Sequence, residues 1–205
     1  MHTKLFHGTA NPAPFDELRV QDYEQEKNGS HGRWLFATHR WDQALVYALP
    51  RVAGILTTMT HEPDESGPLA LFQQMTSPAF SAQAVNGRVY SFSSNQFNRV
   101  AKAPREWVRD SPLQLTPDNH QQFIVSSAAQ VMAEGVQIFT LRHTDDAFIM
   151  DPKHIFKGPC MYTALAEILT RPNSPLIWEN QKAGVGMNQE LVAQIKRAAR
   201  PPSCT

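Results

Sequence analysis

The chain has 205 residues, of which 41% are hydrophobic and 19% charged, and nineteen lysines and arginines balance nineteen aspartates and glutamates. That length suits one domain or one domain with an appendage, and the apolar content excludes a disordered polyelectrolyte. Zero net charge excludes a global field that would draw the protein onto nucleic acid or an anionic membrane, so any nucleic-acid contact has to be local.

In chain order, Leu5 to His7 reads as the end of a short strand running into Gly8-Thr9, and Asn11 to Pro14 is a proline-rich turn. Gln21 to Gly32 is polar and contains Asn28-Gly29, the composition of an exposed loop. Trp34 to Ala37 is a short apolar strand. Thr38 then reads as an N-cap, with Trp41, Ala44, Leu45 and Ala48 at helical spacing up to a stop at Pro50.

Val52 to Thr60 is rich in β-branched residues and predicts a strand, His61 to Pro68 a loop, and Leu69 to Phe80 fits either helix or strand. Asn86-Gly87 introduces a strand over Arg88 to Phe92, with Phe97 as the anchor of the following connection, and Arg105 to Leu115 reads as extended. Pro117-Asp118 opens a predicted helix to about Glu134, which Gly135 ends before a strand over Val136 to Arg142. Met161 to Thr170 and Gln189 to Ala199 read as helices. Short strands with one early helix, followed by a helical tail, predict an α+β fold in a single domain over 1–205.

Cys160 and Cys204 are the only cysteines, which leaves no disulfide framework and no cysteine-based metal knuckle. Met1 to Phe6 is too short and polar for a signal sequence, and no run approaches the roughly 18 apolar residues of a membrane span. A cytoplasmic protein without membrane contact is expected. Neither G-x-G-x-x-G after a strand nor G-x-x-x-x-G-K-[ST] occurs, so those phosphate cradles are excluded.

The segments with chemical content are His7-Gly8-Thr9, then Leu35-Phe36-Ala37 followed by Ala44 to Tyr47, then Arg88 to Phe92 and the strand Glu106-Trp107-Val108. Glycine lets a ligand approach the backbone, and a histidine can hold a hydroxyl in a fixed tautomer. In order and spacing these segments, over about Lys4 to Leu115, resemble the ADP-ribosyltransferase superfamily, in the His-Tyr-Glu branch of diphtheria-toxin-type and poly(ADP-ribose) polymerase enzymes. In that family a first strand ends in His-Gly-Ser/Thr, a later one reads Tyr/Leu-Phe-Ala, a helix carries Ala-x-x-Tyr, and a strand-borne glutamate follows.

The resemblance implies a split antiparallel β fold with peripheral helices and NAD as the substrate, residues 1–116 forming the NAD-binding core and 117–205 a completing strand and helical part. It implies that His7 bonds the adenosine-side ribose, Gly8 holds the nicotinamide carboxamide through its backbone, and Thr9 assists. Tyr47 would stack on nicotinamide beside Leu35 and Phe36, and Glu106 would bond the nicotinamide-ribose hydroxyl. The rivals for the glutamate are Glu62, Glu65 and Glu134. Where many members carry an aromatic this chain has Leu35, so the second stacking face falls to Trp34 or Trp41 or is missing. Pro104-Arg105 before Glu106 departs from the Glu/Gln-x-Glu pair of arginine-directed transfer. Single-unit transfer to a protein or nucleic-acid acceptor is the expected activity, and a scaffold that binds without chemistry is the alternative.

Three other readings are weaker. A metal site on His7, His31 and His39 with Asp42 or Glu62 lacks any compact ligand spacing, and the expectation is no metal. A hydrolase built on Cys160 and His154 has only Lys157 to lower the thiol pKa. The basic clusters Lys196-Arg197-Arg200 and Arg99, Lys102, Arg105 could touch phosphates, but such clusters are more often a solvated face.

Overall fold

The computed structural model describes residues 3–11, 14–23, 32–49, 57–59, 70–74, 84–100, 106–141, 176–179 and 184. Among them the elements are β1 (Lys4–Thr9), β2 (Glu17–Leu18), β3 (Gln21–Tyr23), β4 (Gly32–Thr38), α1 (Trp41–Tyr47), β5 (Thr57–Met59), β6 (Ala70–Gln74) and β7 (Ala84–Ser93). There follow β8 (Asn98–Arg99), β9 (Glu106–Arg109), β10 (Leu113–Gln114), β11 (His120–Ser127), α2 (Ala128–Ala133), β12 (Gln137–Leu141) and β13 (Leu176–Trp178). The composition is α+β, mostly antiparallel sheet with few helices. No helix of the described residues is long and apolar enough to cross a membrane.

The chain forms two units, one from residues 1–50 and 84–131, the other from 51–83 and 132–205. In the first unit a seven-stranded sheet has the order β11-β7-β1-β4-β9-β8, with β3 also paired to β4. Every pairing in it is antiparallel. Because side chains alternate across a strand, each face of this sheet can be read from the register. Leu5, Leu35, Ala37, Tyr90 and Phe92 lie on one face and build the core with Leu18, Phe97 and Leu113. Phe97, the expected anchor, stacks on Phe92 with ring centroids 5.1 Å apart. The opposite face carries α1.

Two glycines let α1 lie unusually close to that face. A Cβ on Gly8 of β1 would sit 1.8 Å from the Ala44 carbonyl oxygen, and one on Gly87 of β7 would sit 1.8 Å from that of Ala48. No side chain fits in either place. Trp41, at the first turn of α1, packs edge-on against Phe6 at 5.3 Å and Phe123 at 5.0 Å, which ties the helix to β1 and β11.

The second unit holds a four-stranded sheet of order β13-β12-β6-β5, in which β12 and β6 run parallel and the outer pairs antiparallel. The Trp178 indole donates to Oε1 of the buried Gln137 at 3.1 Å.

The structure corrects four local expectations. Residues 120–127 form an edge strand of the first sheet, not a helix; the helix is confined to the six residues of α2, ended by Gly135 at φ 96°. The pattern behind this is period two: Phe123 and Val125 turn to the α1 face, while Gln122 and Ile124 turn away. Gln21 to Tyr23, expected in a loop, pairs with Trp34, Arg33 and Gly32 of β4. Asn86-Gly87, expected to introduce the strand over Arg88 to Phe92, lies inside β7, which begins at Ala84. The N-cap position of α1 belongs to Arg40, which makes no side-chain cap bond, and Thr38 is still in β4. The helices expected over 161–170 and 189–199 lie outside the described residues.

Candidate active site

β1 has two unlike edges. Toward β7 it pairs in full register over six residues, from Lys4↔Ser93 to Thr9↔Arg88. Toward β4 it makes a single register pair, Phe6↔Thr38. Past that pair, along His7, Gly8 and Thr9, the seam between β1 and β4 has no further ladder.

His7 partly bridges the gap. Its Nδ1 lies 2.8 Å from the carbonyl oxygen of Phe36. A carbonyl can only accept, so Nδ1 carries the proton and the neutral ring keeps a lone pair on Nε2. Burial lowers the imidazole pKa below its ordinary value, the bond to Phe36 opposing that shift more weakly. At neutral pH His7 is therefore a neutral ring with Nε2 as an acceptor, suited to a ligand hydroxyl.

Gly8 and Tyr47 meet on the α1 face, where a Cβ at Gly8 would stand 3.0 Å from the Tyr47 Cβ. Tyr47 is 41% exposed, one of two large hydrophobic residues so exposed among the described residues. Thr9 accepts from the Asn11 N–H at 3.2 Å and so closes the turn at the end of β1. Leu35 is 2% exposed and belongs to the core, so its side chain offers a ligand no surface. Phe36 is half-buried. Of the alternative aromatics, Trp41 is engaged with Phe6 and Phe123, and Trp34 is half-buried with its indole N–H enclosed and unpartnered.

Glu106 opens β9, half-buried and in register with Thr38. Phe6, Thr38 and Glu106 thus form one row across three strands. Directly paired residues share a face, so Glu106 lies on the α1 side with Gly8 and Tyr47, and His7 and Thr9 issue from the other side. The structure brings Gly8, Phe36, Tyr47 and Glu106 to one face and sets His7 at the seam. Among the rival glutamates, Glu134 is exposed beyond the end of α2, and Glu62 and Glu65 lie outside the described residues.

His39 is exposed in the turn after β4. His31, Lys102, Arg105, His154, Lys157, Cys160 and the 196–200 cluster lie outside the described residues.

Sequence reading missed what joins β4 to α1. Thr38 and Gln43 are 4% and 3% exposed, and the Thr38 hydroxyl donates to Gln43 Oε1 at 2.9 Å while accepting from the Arg40 N–H at 3.1 Å. Arg40 clamps Asp42 through Nε at 2.9 Å, and the same Asp42 oxygen accepts from the Gln43 N–H at 2.9 Å. The four residues close a ring of hydrogen bonds. The sequence carried no signal for it: Gln43 lies opposite the stripe of Trp41, Ala44, Leu45 and Ala48, where a polar residue ordinarily faces solvent.

No known protein family, curated protein or solved structure matches this chain.

Proposed function

We propose that the protein is an NAD-dependent mono-ADP-ribosyltransferase that cleaves the nicotinamide glycosidic bond and passes ADP-ribose to a protein or nucleic-acid acceptor, within a split antiparallel sheet of the ADP-ribosyltransferase kind. The observation that carries this reading is the seam between β1 and β4, closed by one pair and flanked by His7, Gly8 and the exposed Tyr47, with Glu106 one strand away. A dinucleotide is long enough to be read by groups on both sides of such a seam. Nicotinamide stacks on the exposed side of Tyr47 and meets Gly8 from the open edge of β1, since α1 fills the space above that glycine, and His7 Nε2 accepts from the hydroxyl of the adenosine ribose.

Glu106, on the nicotinamide side, accepts from the hydroxyl of the nearby ribose. As the C1′–N bond breaks, its electron pair leaves with nicotinamide, and positive charge builds on the ribose ring. A carboxylate fixed beside that charge stabilises it most in the transition state. The acceptor then attacks C1′ and releases its proton to solvent. The burial of Leu35 means that the absence of an aromatic there removes nothing from the ligand face.

A second reading, a nucleotide-binding scaffold without turnover, is favoured by the register that puts His7 and Glu106 on opposite faces. One experiment separates the two: labelled NAD, with nicotinamide release and label transfer followed for wild type and Glu106→Gln. The transferase reading expects release to fall by more than about a hundredfold in the variant, with NAD affinity held within about threefold. Binding without release by the wild type establishes the scaffold instead.

A further inference from the structure

We infer that Thr38, acting through Gln43, is a positioning residue that sets Glu106 against the Gly8–Tyr47 face; this rests on the transferase reading above. Thr38 is the one β4 residue in register with both neighbouring strands, facing Phe6 on β1 and Glu106 on β9. It is also where the hydrogen-bonded ring of Thr38, Arg40, Asp42 and Gln43 fastens the end of β4 to the first turn of α1. The same helix carries Ala44 against Gly8 and Tyr47 above it. One buried hydroxyl thus connects the strand row that holds Glu106 to the helix that holds the stacking ring.

The two attachments differ in strength. α1 is fixed a second time, by the carbonyls of Ala44 and of its C-cap Ala48 against Gly8 and Gly87, whereas the β4 end is joined to β1 by one register pair at Thr38 and by the His7–Phe36 bond. Losing the hydroxyl leaves the Gln43 oxygen buried and unpaired and frees the β4–β9 end, not the helix. Ground-state binding at Tyr47 is kept, and the group that acts in the transition state drifts.

The test compares Thr38→Val, of nearly the same shape, with Thr38→Ser, which keeps the hydroxyl. Thr38→Val is expected to lower kcat for nicotinamide release about tenfold or more with KM for NAD within about threefold, and Thr38→Ser to recover most of it. Hydrogen exchange at the Val100 amide, which bonds the Glu106 carbonyl at 3.0 Å, should quicken in Thr38→Val and recover in Thr38→Ser, while amides between β1 and β7 keep their protection. That readout holds even if the wild type releases no nicotinamide, an outcome that removes the transferase reading but leaves the positioning intact. Gln43→Leu serves the same purpose if Thr38→Val does not fold. An unchanged kcat and unchanged Val100 exchange, or losses that serine does not restore, overturn the inference.

Discussion

The two edges of β1 belong to one six-residue strand and behave in opposite ways. The β7 edge is laddered from end to end, and the β4 edge is closed at Phe6↔Thr38 and then left to a histidine side chain. The difference separates scaffold from candidate site along a single strand. Where main-chain groups pair with each other the strand has nothing left to offer a ligand. Where they do not, the same residues present a neutral imidazole and an approachable glycine backbone.

The largest effect expected from breaking this contrast comes from the two glycines under α1. Gly8→Ala and Gly87→Ala should each destabilise the fold by about 3 kcal/mol or more, because the added methyl falls on a helix carbonyl and neither backbone can give way freely. Thermal or denaturant unfolding measures this. Of the two, only Gly8 borders the open seam, so NAD binding beyond what stability accounts for should be lost in Gly8→Ala alone. Equal losses of binding would erase the distinction between the edges.

A smaller effect marks the laddered edge. The Tyr90 hydroxyl, on the strand residue paired with His7, accepts from the Phe15 N–H at 3.1 Å. Tyr90→Phe should cost about 1 kcal/mol by denaturant unfolding and leave NAD binding unchanged. Lost binding would show that the laddered edge also serves the ligand.

The smallest effect is a pH slope at the open edge. Burial lowers the His7 pKa in the fold below the 6.5 of a free histidine, so below that pH the unfolded chain binds the extra proton first. Stability from this group is complete above about 6.5 and declines as pH falls through the lower folded pKa. His7→Gln, which keeps a donor for Phe36, should flatten that stretch of the stability–pH curve. A slope that survives the substitution would assign it to another group.

The elements that carry the candidate site were legible because each is local. His7-Gly8-Thr9 at a strand end, the strand before α1, the helical spacing from Trp41 to Ala48 and the strand at Glu106 follow from short patterns. What joins them was not legible. Asn86-Gly87 reads as the lead-in to a strand at Arg88, and only the approach of Ala48 from elsewhere in the chain explains Gly87 as a strand residue. Residues 120–127 follow a proline that commonly opens helices, yet pairing with β7 decides for strand. Thr38 reads as a cap because threonine before a helix usually is one; its burial between two strands comes from contacts no window of sequence contains.

The division of the first unit into residues 1–50 and 84–131 has a consequence for synthesis. Lys4 waits for Ser93 and Leu35 waits for Arg109 before either strand has its full partner. The two seams of β1 cannot be told apart until β7 has been made, and Glu106 follows only with β9. Such long-range pairing is slow to close. An unfinished chain therefore carries His7, Gly8 and Tyr47 without Glu106, so the proposed chemistry depends on the arrival of the second segment.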